Sequence, residues 1–183
     1  MKTRMPALSL AAVPGRRRAT ISLAMEIEKK GFIGIYGPSL GDSLALCEAL
    51  AFATKEIHFG TTIMPLYFRQ VVDFASTVSF IHELSGGRFK FGIGVSHEPA
   101  LTARGISSGK PLEDTRKFVS ELRSTPRVGE LPPIILAALR KKMINLSEEI
   151  AEGMVFANGV RSHMKQSLQA ISEKARNSAD FFI

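Results

Sequence analysis

Cysteine is almost absent. Cys47 is the single one among 183 residues, so no internal disulfide can form, and no Cys/His group has the spacing of a zinc site. A reducing, cytoplasmic setting is the simpler expectation, with no metal. Long apolar runs are absent too: none approaches the roughly 20 residues that a membrane helix needs, so no membrane association is expected. The start carries Lys2 and Arg4 ahead of apolar residues 5–13. That run is short, contains Pro6, and leads into Arg16-Arg17-Arg18 rather than a small-residue cleavage site, so a first strand and a helix start fit better than a secretory signal. No repeat or low-complexity segment is visible. The charge of +7, from 24 Lys and Arg against 17 Asp and Glu, allows an anionic partner such as a phosphate-bearing cofactor or nucleic acid. The basic residues do not gather with aromatics on one predicted face, so no specific nucleic-acid binding is expected.

What is present is a globular composition, 45% apolar and 22% charged, enough for one domain with a real core. Residues 7–13 read as a buried strand ending at Pro14-Gly15. A helix over residues 16–30 follows, its stripe Ala19, Leu23 and Ile27 with Thr20 and Ala24 beside it. A second strand spans residues 32–36, and Asp42 caps a helix to about residue 54 that buries Leu46, Ala49, Leu50 and Ala53. The third strand is residues 57–63. The helix over residues 69–84 has Val71, Phe74, Ala75, Val78 and Ile81 on one face, and Ser85-Gly86-Gly87 stops it. A fourth strand over residues 89–95 leads into a long loop to Pro111, where a helix burying Thr115, Phe118, Val119 and Leu122 begins. Residues 134–138 form a fifth strand, nearly uninterrupted in apolarity. Met143, Leu146, Ser147 and Ile150 mark a helix, residues 154–157 a sixth strand, and Met164, Leu168 and Ile171 another helix. Residues 181–183 look like a seventh strand beginning. This βα rhythm fits either a doubly wound sheet or a (β/α)8 barrel.

Residues 83–99, ELSGGRFKFGIGVSHEP, concentrate the polar and glycine-rich features where a strand exits, the place where parallel α/β proteins put their chemistry. This stretch resembles the signature of the bacterial luciferase-like monooxygenase family, flavin- or deazaflavin-dependent oxidoreductases built on a TIM barrel. Supporting matches follow in the family's order: KKGFIGIYGPS at residues 29–39, FGTTI at residues 59–63 with Tyr67 and Arg69 after it, and PPIILAAL before Ile150-Ala151-Glu152-Gly153. The resemblance implies one luciferase-like barrel domain over residues 1–183, an incomplete TIM (β/α)8-type barrel with about six βα units and the start of a seventh strand. It implies FMN or a deazaflavin coenzyme across the carboxyl face and a small organic substrate. Thr62, Ile63 and Met64 would form a ledge under the ring, where a non-proline cis peptide often occurs. Gly94, Val95 and Ser96 would approach the ring edge, and Ala137 and Ala138 would leave room on the fifth strand.

The chain departs from the family where many relatives have an acidic residue or histidine after the second strand: here stand Gly37-Pro38-Ser39. Around the third-strand exit it has Pro65, Phe68 and Gln70. Its last βα units are missing, which leaves open sheet edges. The expectation is therefore a flavin-dependent oxidoreductase or monooxygenase. The alternative is a truncated, non-catalytic protein that binds flavin or associates as a homo-oligomer or with a completing subunit.

His97, just past a strand end, is the candidate catalytic group because imidazole titrates near neutrality; the competing reading is an exposed loop histidine. His82 reads as a helix-surface or packing residue and Cys47 as a small buried hydrophobe, while His58 and His163 carry no site argument. Gly92-Ile93-Gly94 lacks the third glycine and the following helix of a dinucleotide fingerprint. Arg16-Arg17-Arg18 reads as a solvated helix start, although it lies where a phosphate can be met. Asp42 and Glu48 form no convincing catalytic pair.

Overall fold

A computed structural model of the chain describes residues 5–156 and 160–183. In chain order the elements are β1 (Met5–Ser9), α1 (Arg17–Lys29), β2 (Phe32–Gly37), α2 (Ser43–Ala53), β3 (His58–Thr61), β4 (Met64–Pro65), α3 (Val71–Leu84), β5 (Phe89–Gly94), α4 (Glu98–Thr102), α5 (Pro111–Ser124), β6 (Ile134–Ala138), α6 (Lys141–Ile150), β7 (Gly153–Phe156), α7 (Arg161–Gln169) and α8 (Glu173–Asn177). The strands pair in parallel in the order β1-β2-β3-β5-β6-β7, with β4 on β5. Each unit adds its strand on the same side as the last, with no reversal of direction, and this separates a barrel-type sheet from a doubly wound one. The sheet also curls. Phe182, which bridges Gly153 of β7, lies with its ring 6.2 Å from that of Tyr36 on β2, although four spacings of about 4.8 Å separate β2 from β7 along the sheet. The architecture is an incomplete TIM-like barrel.

The core lies between the convex face of the sheet and the helices. Phe59, Phe89, Phe91 and Ile93 are fully buried there. Phe74 of α3 packs its ring 5.7 Å from Phe91 and edge-on to Phe118 of α5 at 5.5 Å, geometries that aromatic quadrupoles favour. The expected buried faces of α3 and α5 are observed, except that Val71 is only half-buried. Asp42 caps α2 by accepting the Leu44 and Ala45 N–H groups.

Other expectations need correction. In α1 the buried residues are Thr20, Ala24 and Ile27, while Leu23 is 50% exposed. The stripe is rotated by one position, so that the smaller Thr20 and Ala24 face inward. The third strand is two pieces, β3 and β4, because its ladder passes from β2 and the start of β5 to the end of β5. The loop before Pro111 contains α4, and the last expected helix is α7 and α8, the second capped by the Ser172 hydroxyl. Leu168 is 43% exposed rather than buried. The first strand begins at Met5 and stops at Ser9. Ala157, placed in the sixth strand by the sequence, lies outside the described residues.

The amino-terminal face of the sheet is held by two charged side chains. Arg88 donates to the carbonyls of Ala51, Thr54, Ile57 and Ser85 and to the Thr54 hydroxyl, all within 3.1 Å. It thereby closes the carbonyl ends of α2 and α3, where a cation is favoured, and its guanidinium carbon lies 5.2 Å from the Phe59 ring centroid. One carboxylate oxygen of Glu28 accepts the N–H groups of Lys55, Glu56 and Ile57 at 2.8 to 2.9 Å. Burial pushes this carboxyl up, but the three N–H groups and the Arg88 charge outweigh it and hold it below its ordinary value.

Replacing Arg88→Lys keeps the charge but loses the planar fork, and is expected to cost about 2–3 kcal/mol in chemical denaturation. Glu28→Ala should cost about 1–3 kcal/mol near neutral pH. Because the folded-state pKa of Glu28 is depressed, its contribution is complete above the ordinary value of 4.5 and disappears as pH falls through the lower folded value. The stability gap between wild type and variant should therefore close on acidification, and a gap constant with pH would contradict the assignment.

Candidate functional site

The carboxyl ends of the strands are built around the exit of β3. The Thr62–Ile63 peptide is cis and is not a proline bond, at the position the family resemblance implied. Thr62 N–H donates to Gly37 O at 2.7 Å on the β2 side, while Leu66 N–H donates to Gly94 O at 3.0 Å on the β5 side. Thr61 Oγ1 donates to Gly92 O at 2.6 Å. The exit is thus fastened to both neighbours by backbone-directed hydrogen bonds.

Glycine is required on the concave face. A Cβ on Gly92 would collide with the Thr61 carbonyl, and one on Gly60 with the backbone of Lys90. At Gly94 a Cβ would stand 2.9 Å from Cβ of Ala137 and 3.2 Å from Cδ1 of Ile63. Ile63, Gly94 and Ala137, from three different segments, therefore meet at one point with Thr62 beside them. The other expected residues are placed differently. Met64 is 4% exposed, its side chain in the core, so only its backbone can contribute to a ledge. Ala138 turns its methyl to the opposite face, among Ile144, Met154, Ile171 and Ala175, and does not line the concave side beside Ala137. Val95 packs partly on the core. Ser96 has φ +66°, a left-handed conformation that non-glycine residues adopt at a cost and that clusters at functional sites. His97 precedes α4, is exposed, and makes no side-chain cap bond.

Three residues on the concave face carried no role in the sequence reading. Tyr36, Gly60 and Lys90 are register partners across β2, β3 and β5, and His58 faces the same side one step deeper. Burial pushes the Tyr36 hydroxyl up to about 12 and pulls the Lys90 ammonium down. Burial, then the Lys90 charge, pull His58 down. Lys90 Nζ lies 5.2 Å from the Phe182 ring centroid, a cation–π contact. The alternation in Phe89-Lys90-Phe91 is the signal that separates Lys90 from the core. A groove of about 500 Å³ lined by Arg116, Val119, Arg123 and Ile150 opens on the outer layer between α5 and α6, and a second, of about 280 Å³ and lined by Ala12, Arg17, Asp42 and Leu46 among others, lies between α1 and α2 past the exits of β1 and β2. Among the described residues no group of three His, Cys, Asp or Glu is placed to hold a metal ion, and no helix is long and apolar enough to cross a membrane.

The sequence model of the luciferase-like monooxygenase family matches residues 4–181, and the chain belongs to that family. Its relatives span reductases and oxygenases. A 5,10-methylenetetrahydromethanopterin reductase from Methanolobus tindarius is 26% identical over 155 residues, 73% of this chain and 46% of that protein. In fold, an F420-dependent secondary alcohol dehydrogenase in complex with an F420–acetone adduct superposes with a TM-score of 0.81 at 16% identity, over 95% of this chain and 64% of that one. The oxygenating constituent of 3,6-diketocamphane monooxygenase from Pseudomonas putida, in complex with FMN, does so with a TM-score of 0.71 at 15% identity, over 95% and 66%. The chain spans about half the length of the curated relatives it matches.

The convergence at Gly94 is testable by a mutant cycle. Gly94→Ala is expected to cost about 1–3 kcal/mol through overpacking against Ala137 and Ile63. Adding Ala137→Gly should recover part of that loss, giving a coupling of about 0.5 kcal/mol or more in denaturant melts. Strictly additive losses would mean that the two positions do not touch.

Proposed function

We propose that the chain forms the ring-binding part of a flavin- or deazaflavin-dependent oxidoreductase or monooxygenase that acts on a small organic substrate. The observation that supports this reading most is the meeting of Ile63, Gly94 and Ala137 beside Thr62. A planar heterocycle needs a floor free of projecting side chains, and glycine and alanine at the centre of this face provide one at the carboxyl ends of the strands, where barrel enzymes bind their ligands. In this reading Thr62, Ile63 and the Met64 backbone form the ledge, Gly94, Val95 and Ser96 the edge facing the ring, and Ala137 the far side. Ala138 acts only as packing beneath it. His97, at the start of the neighbouring loop, is the group available to exchange a proton with substrate. The ring, once bound, supplies the two-electron chemistry, while the chain supplies orientation and a partly dry surface.

A second reading has its own support. Among the described residues β1 pairs with β2 alone, and its own residues are mostly exposed, Met5 at 41%. Beyond β7 the described residues contribute one bridge, at Phe182. Such edges invite further strands, from a longer chain, a second copy or a completing subunit. A monodisperse, thermally stable monomer in light scattering would remove this reading.

Titration of the purified chain with FMN and, separately, with a deazaflavin coenzyme should quench the cofactor's fluorescence saturably for at least one of them. Gly94→Leu should weaken that binding about tenfold or more, the cost of one side chain intruding on the floor. Absence of quenching with both cofactors would overturn the proposed function for this chain.

A further inference from the structure

Two side-chain contacts leave the segment that follows β4, one reaching the first turn of α5, where the loop that leaves β5 ends, and one reaching that loop itself. Tyr67 Oη donates to Asp114 Oδ2 at 2.6 Å, and the Gly109 amide also faces the tyrosine oxygen. A Cβ on Gly109 would collide with the Asp114 carboxylate, so the end of the loop rests directly on this pair. Nearer its middle, the Arg104 guanidinium carbon lies 4.5 Å from the Phe68 ring centroid. Between these points residues 95–110 are lightly held. Their backbone hydrogen bonds are local, as in Leu101 N–H to His97 O and Ile106 N–H to Leu101 O, and Leu101, 1% exposed, is their one fully buried side chain. Tyr67 and Phe68 belong to the segment that begins at Thr62–Ile63 and is fixed to β5 through Leu66 N–H and Gly94 O. The two contacts therefore join the most rigid part of the site to its least rigid neighbour.

We propose that Tyr67, acting through Asp114 at the start of α5 on the last residues of the loop, and Arg104, acting within it, are positioning residues that latch the loop of residues 95–110, carrying Ser96 and His97, onto the exit of the third strand. The loop is then a releasable wall of the ligand site. This inference rests on the reading of the strand-exit face as a cofactor site. A tyrosine hydroxyl on a carboxylate is a strong hydrogen bond for its size, whereas a guanidinium over the half-buried Phe68 ring adds a weaker attraction. Together they are strong enough to keep the wall shut most of the time and weak enough to open without unfolding the sheet, as required of a segment that admits and releases a ligand. A second consequence concerns Asp114. Its Oδ2 already accepts from the Tyr67 hydroxyl, so it serves as the anchor for Tyr67.

The test uses the full chain, the Tyr67→Phe/Arg104→Ala double variant, and the double variant with Arg104→Lys in place of Arg104→Ala. Hydrogen–deuterium exchange should speed up about tenfold in residues 97–109 of the first variant, the loss of one charge-assisted hydrogen bond, while β3 and β5 exchange as in wild type. Restoring a cation with lysine should recover part of the protection. Unchanged exchange in the loop overturns the latch, and so does faster exchange that spreads through the strands. In stopped-flow fluorescence the first variant should release bound FMN or deazaflavin about tenfold faster. A loosened loop with unchanged release overturns the positioning role. If wild type and variants alike bind neither cofactor, the flavin reading falls, and the exchange result alone decides whether the latch exists.

Discussion

The guanidinium of Arg88 is the constraint on which the rest of the site depends. It sits at the amino-terminal edge of β5 and takes carbonyls from the ends of α2 and α3 and from the residue before β3. A strand advances about 3.3 Å per residue with little freedom along its length, so fixing its entry fixes its exit. Gly94 reaches the place where it meets Ile63 and Ala137 only in the register that pairs Met64 with Ile93 and Ile93 with Leu136. A slip of one residue would turn Phe91 and Ile93 toward the concave face and the glycines toward the helices, exchanging a buried aromatic layer for a cavity. Glu28 adds to this from the other side, holding the entry to β3 by three N–H groups. The part of the signature that looks like a turn, Ser85-Gly86-Gly87-Arg88, is thus the foundation, and the part that looks like a strand carries the candidate site.

The two faces of β5 have opposite demands, and the alternation in Phe89-Lys90-Phe91-Gly92-Ile93-Gly94 meets both. On the convex side the phenylalanines and Ile93 fill the space under α3 and α5. On the concave side Lys90 lies deepest, near Tyr36, His58 and the Phe182 ring, and glycine takes over toward the exit. The interior is therefore graded: polar and aromatic side chains occupy the deeper layer, where Phe182 reaches back across the curl of the sheet, and the upper layer is left low. Filling of one level and clearance of the next are both needed, because an empty lower layer would let the curl collapse and a filled upper layer would leave no floor.

Much of this was legible in the sequence where one physical requirement dominates over several residues. The apolar period of α3 and α5, the Asp42 cap and the glycine stop after Leu84 each rest on one such requirement, and the structure reproduces them. What escaped reading involved competition between neighbours. Residues 57–63 form an uninterrupted β-prone run, yet the ladder changes partner within it, and no local propensity records which strand lies alongside. In α1, Leu23 and Ala24 compete for the inward position, and the apolar period alone does not say which of two adjacent residues is buried; here it is Ala24, with Thr20 and Ile27. The five residues of α4 are too few for a period, with Pro99 their only start signal. Ala138 was recoverable: adjacent residues on a strand point to opposite faces, so Ala137 and Ala138 were never both candidates for one surface.

The distribution of hydrogen bonds across the candidate site separates a floor from a wall. Thr62 N–H, Leu66 N–H and Thr61 Oγ1 are all committed to carbonyls of adjacent strands, so the floor at Ile63 can move only if the ladder between β2 and β5 breaks. That cost approaches the stability of the whole domain. The loop of residues 95–110 has no such commitment, since its N–H groups close onto its own carbonyls, and side chains alone tie it to the body. Motion on this face is consequently confined to one side. A ring seated against Gly94 would keep its orientation while the segment carrying His97 opens and shuts, and the same strand supplies both behaviours because its ladder ends at Gly94 and its loop begins one residue later.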